Sequence, residues 1–327
     1  MGAVIRSVGA YVPTHRMSNH EFEDYLDTSD EWIQSHTGIK FRHVAEPEDA
    51  ASDLGYNAAI RALERAKMIA DQIDMILVAT ATGDYVGFPS TACIIQNKLE
   101  ARNSAAMDLL AGCTGFVYGI ETAKGLIYSG AAEHVLLIGT EILTRIMDWK
   151  DRNTCVLFGD GAGAAVISNS SSEHGILDSF LRSDGARAMA LSRDAGGTRN
   201  PFQPGKTKPQ DMLLRMEGRL VYNFAVSAIS DTVKTILERN DLTIDDIKYV
   251  VPHQANERII EAAIKRSGLP REKFYVNIAE YANTSAATIP IALNDLTEQG
   301  LLAPDDLIIT AGFGAGLTFG GNLIRWQ

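Results

Sequence analysis

Cysteine and long apolar runs are both scarce in this chain. Three cysteines in 327 residues, Cys93, Cys113 and Cys155, lie far apart and form no CxxC pair. That spacing argues against a zinc site or a disulfide framework, so a cysteine that matters here matters alone. No apolar run reaches the roughly 18 residues of a membrane helix, so no membrane partner is expected. A basic field is lacking too: the net charge is -11, and phosphate backbones need the opposite sign, which sets nucleic acid aside as a partner. The opening "MGAVIRSVGAY" has no cationic leader followed by an apolar stretch. Arg6 stands where a myristoylation signal needs Ser or Thr. The chain is expected in the cytoplasm, and the "NTS" at 283–285 then carries no weight as a glycosylation acceptor.

What is present is apolar material in an alternating order. Hydrophobic residues make up 46% of the chain, enough to bury a core, and the length points to two domains or one duplicated unit. "DMILVAT" (74–80), "HVLLIGT" (134–140), "YVVP" (249–252) and "DLIITAG" (306–312) have the continuous apolar character of strands buried on both faces. Between them Phe116, Ile120, Ala123 and Ile127 fall at helical spacing, as do Ile260, Ala263 and Ile264. The alternation predicts an α/β layered fold. "RNPFQPGKTKPQD" (199–211), rich in Pro, Gly and Lys, predicts a loop.

The chain also resembles itself. Segment 112–139 aligns without a gap on 282–309, which sets Cys113 on Asn283 and Gly130 on Gly300. Each segment is a small-residue turn, a helix, a glycine turn and a strand. Upstream, "QIDMILVATAT" matches "DIKYVVPHQAN" in the same order. Two matches in one order favour a duplicated unit.

The turns that carry Cys113, His253 and Asn283 then fall at strand ends, where α/β sheets bind ligands. Cys113, in "LLAGCTGFVYGI", is predicted as the first residue of a helix, whose free N–H groups and dipole favour an anion. A thiol there is expected to ionise below its ordinary value of about 8.5. Gly112 and Gly115 permit a sharp turn and a close approach. Taken alone, a cysteine among small residues is more often a packing residue, and Cys93 and Cys155, inside apolar runs, keep that reading. "VPHQANERII" places His253 after a strand, where a structural role is the alternative. Asn283 in "YANTSAATIP" alone reads as a helix cap. "FGDGAGAAV" (158–166) does not fit G-x-G-x-x-G and reads as a tight turn. "AGFGAGLTFGG" (311–321) reads as a loop able to offer N–H groups to an oxyanion.

With "DTSDEWI", "DLLAGCTGF", "DRNTCVLFGDGAGAAV", "VPHQAN", "ANTSAA" and "GFGAGLTFG" in this order and spacing, the chain resembles the β-ketoacyl-acyl-carrier-protein synthase III family of the thiolase superfamily, from residue 3 to residue 326. The resemblance implies a duplicated five-layer α-β-α-β-α thiolase-like fold, with residues 1–172 carrying the nucleophile and 173–327 the His and Asn. It implies a cytoplasmic homodimer that needs no cofactor beyond its CoA thioester substrate. The reaction implied is condensation of an acyl-CoA primer with malonyl-acyl-carrier protein, which starts type II fatty acid biosynthesis. By position Cys113 is the nucleophile, His253 and Asn283 are the donors that stabilise the enolate, and the amides of Cys113 and Ala315 form the other oxyanion site. Trp32 and Arg152 match the pair that holds the CoA adenine. Gly218 and Asn256 match pantetheine contacts, and Phe88 the residue closing the partner subunit's acyl pocket. Arg258, Lys265 and Arg266 share one helix face that suits an acidic carrier protein.

The chain departs from the family pattern at His36, Asn223, Ala315 and Phe319, where Arg, Lys, Gly and Trp are usual. A backbone donor survives Gly→Ala only at negative φ. Other readings remain open at this point. They are an acyltransferase of secondary metabolism with the same three residues, a cysteine hydrolase, and a silent acyl-CoA-binding protein.

Overall fold

Three of the four apolar runs become inner strands of two mixed sheets and "YVVP" lies in an edge strand, while the helix-spaced residues become helices between and outside them. The structure, a computed structural model, describes residues 2–172 and 174–327. Glu173, the first residue of the expected second half, lies outside the described residues. The first sheet contains β1 (Gly2–Tyr11), β2 (Met75–Ala79), β3 (Ala105–Leu109), β4 (His134–Ile142) and β5 (Asp160–Ser170), in the order β1-β5-β4-β2-β3. The second contains β6 (Gly175–Ser183), β7 (Ile247–Pro252), β8 (Leu307–Gly314) and β9 (Thr318–Arg325), in the order β7-β8-β9-β6. β2 runs parallel to β3 and β4, and β7 parallel to β8. The remaining pairs in these sheets are antiparallel.

Helices α1 (Asp30–Thr37), α2 (Ala51–Ala66), α3 (Gly115–Tyr128), α4 (Gly218–Arg239), α5 (Glu257–Ser267) and α6 (Thr288–Glu298) concern the site. α3 and α6 lie between the sheets. Phe116, Ile120 and Ile127 of α3, with Ile289 and Leu293 of α6, share one buried cluster with Leu77 and Leu137 of the first sheet and Ile308 and Ile324 of the second. α2 covers the outer face of the first sheet. α4 and α5 cover that of the second. The layer order is therefore α-β-α-β-α, as the resemblance implied.

Two glycine-rich stretches differ from the sequence reading. "DGAGAAV" is not a turn but the start of β5, and its glycines make room for α6. A Cβ on Gly163 would sit 2.6 Å from Pro290 Cβ. "AGFGAGLTFGG" is a hairpin rather than a loop, joining β8 to β9.

The duplication also has a different register. α3 and α6 begin at Gly115 and Thr288, and the following strands at His134 and Leu307. Cys113 thus corresponds to Ala286, not Asn283. The second half has three further residues ahead of its turn, where Asn283 donates its N–H to Leu157 O (3.0 Å) and accepts from Gly159 N (3.1 Å). The two turns pack on equivalent glycines of the opposite half. A Cβ on Gly139 of β4 would lie 2.3 Å from Ala286 O, and one on Gly312 of β8 would lie 3.3 Å from Thr114 Cγ2.

Candidate active site

Cys113 occupies a 3₁₀ turn, Gly112–Thr114, and the α-helix proper begins at Gly115. It is therefore ahead of the helix rather than its first residue. Gly112, at φ +52°, turns the chain out of β3, a conformation that costs a glycine little. Gly314 leaves the sulfur's neighbourhood open, since a Cβ there would lie 2.8 Å from both Cys113 N and Cβ. The Cys113 and Ala315 amides both act to lower the pKa of the thiol, so the two proposed oxyanion donors lie beside it. Ala315 is outside the left-handed region, which lets its N–H serve although glycine is usual there.

The resting thiol does not have the expected low pKa. Burial pushes Cys113 up to about 12, against smaller lowering effects from Ser285 and the two amides. Desolvation of the thiolate outweighs the helix terminus here.

His253 follows β7, and its N–H donates to Ala311 O at 2.8 Å. Its ring is buried, edge-on to Phe313 at 5.1 Å. Burial drives its pKa down to about 3, so the imidazole is neutral, as donation from Nε2–H requires. Nδ1 lies 2.6 Å from Thr288 Oγ1. Asn283 Oδ1 accepts from Ser285 N at 2.9 Å, which leaves Nδ2 as the free end of the carboxamide.

Cys113, His253 and Asn283 line one cavity of about 300 Å³. Trp32, Arg152, Gly218 and Asn256 line the same cavity. The Arg152 guanidinium lies 5.0 Å from the Trp32 ring centroid, a contact in itself, so a base can enter between them only after Arg152 swings away. His36 stacks on Trp32 with ring centroids 4.3 Å apart. Asn256 caps α5 through Arg258 N (2.8 Å) and donates to His36 O (3.1 Å). That bond ties α5 to α1 across the cavity wall.

The other predicted residues lie apart from this group. Phe88 is 88% exposed and does not reach the cavity of its own chain. Arg258, Lys265 and Arg266 are exposed on α5, and Arg266 faces Asp231 at 3.6 Å. Asn223 is exposed beside Arg219. Phe319 packs edge-on against Phe180 and Phe224, away from the sulfur. Cys155 is buried, but Cys93 is exposed, against its packing reading. It sits on the outer side of a short helix (Thr91–Lys98) whose neighbours Ala92 and Ile95 point inward.

Glu141, Ser285 and Thr288 were not singled out from the sequence. Glu141 lies fully buried at the end of β4, an acid inside an otherwise apolar run. Ser285 Oγ lies 3.0 Å from its Oε1. Acid in a buried strand was the signal available.

Residues 107–197 match the family model described as 3-oxoacyl-[acyl-carrier-protein] synthase III, and residues 237–326 match that of its C-terminal part. A β-ketoacyl-[acyl-carrier-protein] synthase III of Caldanaerobacter subterraneus subsp. tengcongensis is 47% identical over 327 residues, covering 100% of this chain and 98% of that protein. The chain belongs to the β-ketoacyl-acyl-carrier-protein synthase III family. A crystal structure of a synthase III from Thermus thermophilus is 42% identical with a TM-score of 0.92, and covers 99% of both chains. The priming β-ketosynthase of the R1128 polyketide pathway is 33% identical with a TM-score of 0.91, covering 99% of this chain and 96% of that one. The five layers are the thiolase fold shared by these synthase III structures. The chain is a condensing enzyme, an acyltransferase that initiates fatty acid biosynthesis.

Proposed function

We propose that the enzyme takes an acyl group from acyl-CoA, with acetyl-CoA as primer, onto Cys113 and condenses it with malonyl-acyl-carrier protein. The observation that supports this most is that two halves of the chain deliver Cys113, His253 and Asn283 to one cavity, with two backbone N–H groups at the sulfur. Cys113 Sγ attacks the thioester carbonyl, its oxyanion held by the amides of Cys113 and Ala315, and the CoA thiolate leaves. Malonyl-carrier then enters and its thioester oxygen takes hydrogen bonds from His253 Nε2–H and Asn283 Nδ2–H. Loss of carbon dioxide leaves an enolate on that oxygen. Its carbon attacks the acyl-cysteine, the new C–C bond forms, and the Cys113 thiolate is released. Donors aimed at developing charge in a buried site are worth roughly 3–4 kcal/mol each, so no resident cofactor is needed.

Trp32 and Arg152 would stack on the CoA adenine, with Gly218 and Asn256 along the pantetheine arm. Residues 1–172 and 173–327 act as one catalytic unit. A homodimer is proposed because β3 is an edge strand, paired on one side only, and the surface near it carries exposed Val86, Phe88 and Leu110. Such an edge needs cover, and a second copy would seat Phe88 in its partner's acyl pocket. Arg258, Lys265 and Arg266 offer the acidic carrier a basic face on an otherwise acidic protein. Among the described residues no helix is long and apolar enough to cross a membrane, and we place the enzyme in the cytoplasm with acyl-CoA and carrier protein as its partners.

A panel of acyl-CoA primers assayed with malonyl-carrier tests the reading. Acetyl-CoA or another short primer should give a 3-ketoacyl-carrier and carbon dioxide. Preference for a carrier of secondary metabolism would favour the second reading, which rests on the likeness to the R1128 priming enzyme.

A further inference from the structure

A buried thiol with a raised pKa must give up its proton as it attacks, and among the described residues no charged base is in contact with the sulfur. His253 is neutral and held at Nδ1 by Thr288. One side chain of the opposite half lies beside the thiol and acts to lower its pKa: the hydroxyl of Ser285. That hydroxyl also lies 3.0 Å from Oε1 of Glu141. A hydroxyl with one proton and two lone pairs, set between a thiol and a carboxylate, is a one-step proton relay.

The placement of Ser285 is costly and specific. Its φ is +50°, the left-handed region that non-glycine residues seldom occupy. Each of its polar groups is engaged at the site. Its N–H donates to Asn283 Oδ1, its Oγ meets Glu141 and lies beside the thiol, and its carbonyl oxygen lies 2.9 Å from Thr288 Oγ1. One residue thus touches Cys113 and Asn283 and, through Thr288, His253.

Glu141 is set up to hold a proton reversibly. Its partners are the Thr80 and Thr82 hydroxyls and the Ala81 amide from the loop after β2, with Ser285 and the Ala286 amide from the second half. Among the described residues none of these partners is charged. Burial raises its pKa to about 7, so near neutral pH both protonation states are populated.

We propose that Glu141 is the proton acceptor for the Cys113 thiol, reached through the Ser285 hydroxyl, and that it returns the proton when the thiolate re-forms. This deepens the function proposed above and rests on it. In the resting state S–H donates to Ser285 Oγ and Ser285 donates to the Glu141 carboxylate. As the S–C bond forms, the thiol proton passes to Ser285 Oγ while Ser285's own proton passes to Glu141. The bond between the acyl carbon and the CoA sulfur breaks and CoA departs as the thiolate, which is protonated by solvent. When the carbanion attacks the acyl-cysteine and expels the Cys113 thiolate, the same protons move back. The negative charge passes from Glu141 to the oxyanion and leaves with the CoA thiolate, so no second charge is created in the buried site and the acyl-enzyme is left neutral.

Glu141 and Ser285 are positioning and relay residues, since neither touches substrate. The test measures single-turnover acylation by acetyl-CoA and alkylation by iodoacetamide, both on Cys113 and both against pH. Wild type, Glu141→Gln, Ser285→Ala and the double variant are compared, with circular dichroism to check folding. The expectation is a fall of about tenfold or more in both rates near pH 7 for each single variant. Glu141→Gln should also lose the rise through the carboxylate's titration, leaving a rate that climbs only with alkali. The double variant should be no slower than the slower single one. If Glu141 were only a neighbouring negative charge, which raises the thiol pKa, Glu141→Gln would speed alkylation, and that result overturns the proposal. So does a Ser285→Ala protein, which keeps the carboxylate in place, acylating at the wild-type rate. Failure of the wild type to acylate at all would instead sink the function proposed above.

Discussion

Thr288 Oγ1 lies 2.6 Å from His253 Nδ1 and 2.9 Å from the carbonyl oxygen of Ser285. One hydroxyl proton faces two acceptors, and its direction decides the imidazole tautomer. Given to Nδ1, it leaves Nε2 carrying the proton that decarboxylation uses. Thr288→Val removes that choice. It should lower malonyl-carrier decarboxylation about fivefold, equivalent to the ~1 kcal/mol net worth of one hydrogen bond, while acylation of Cys113 is unchanged. Thr288→Ser should restore the rate, as read by carbon dioxide release.

His253→Ala and Asn283→Ala remove the two enolate donors. Each should cut condensation by roughly 10²–10³-fold and retain transfer of the acyl group from CoA to Cys113. Separate assays of the two half-reactions check this. Equal losses in both would mean that the pair acts on the thiol.

Gly139 carries the contact between the halves. With a Cβ position 2.3 Å from Ala286 O, backbone rather than a yielding side chain, Gly139→Ala must displace the turn that holds Ser285. A loss of roughly 3 kcal/mol or more is expected, at or above the usual range for overpacking. Denaturant unfolding measures it, and condensation should fall with it.

Glu141 makes stability depend on pH in a stated direction. Its folded pKa of about 7 stands above its ordinary 4.5. Between those values the folded protein holds a proton that the unfolded chain has released, so the contribution is fully present below 4.5 and is lost as pH rises through 7. Glutamine has no such proton. The stability of Glu141→Gln relative to wild type should therefore improve by about 3 kcal/mol between pH 4.5 and pH 8. His253 titrates alike in both proteins and cancels. Urea unfolding at several pH values reads the difference, and a flat difference would show that Glu141 is not a buried titrating group.

The parallel strands and the central helices were legible because their apolar runs are continuous and their spacing regular, as in "HVLLIGT" and at Phe116, Ile120 and Ile127. β5 was missed because its glycines are there for the approach of α6, a contact far away in sequence. Cys113, His253 and Asn283 could be named from their motifs, but not the register of the duplication, which rests on three residues with no composition signal. Phe88 cannot be understood from one chain, since its exposed ring faces away from its own cavity. The thiol pKa went the other way because burial depends on packing around the sulfur, whereas a sequence shows only the helix that follows. Glu141 and Ser285 meet across 144 residues, and no local pattern joins them.

Incubation with acetyl-CoA in the absence of carrier protein, followed by intact-mass measurement and peptide mapping, tests the nucleophile directly. One acetyl group on Cys113, one equivalent of CoA released, and no label in Cys113→Ala is the result that this account requires. Acetylation of the exposed Cys93 in place of Cys113, or an unlabelled Cys113 in a protein that still forms product, would contradict it.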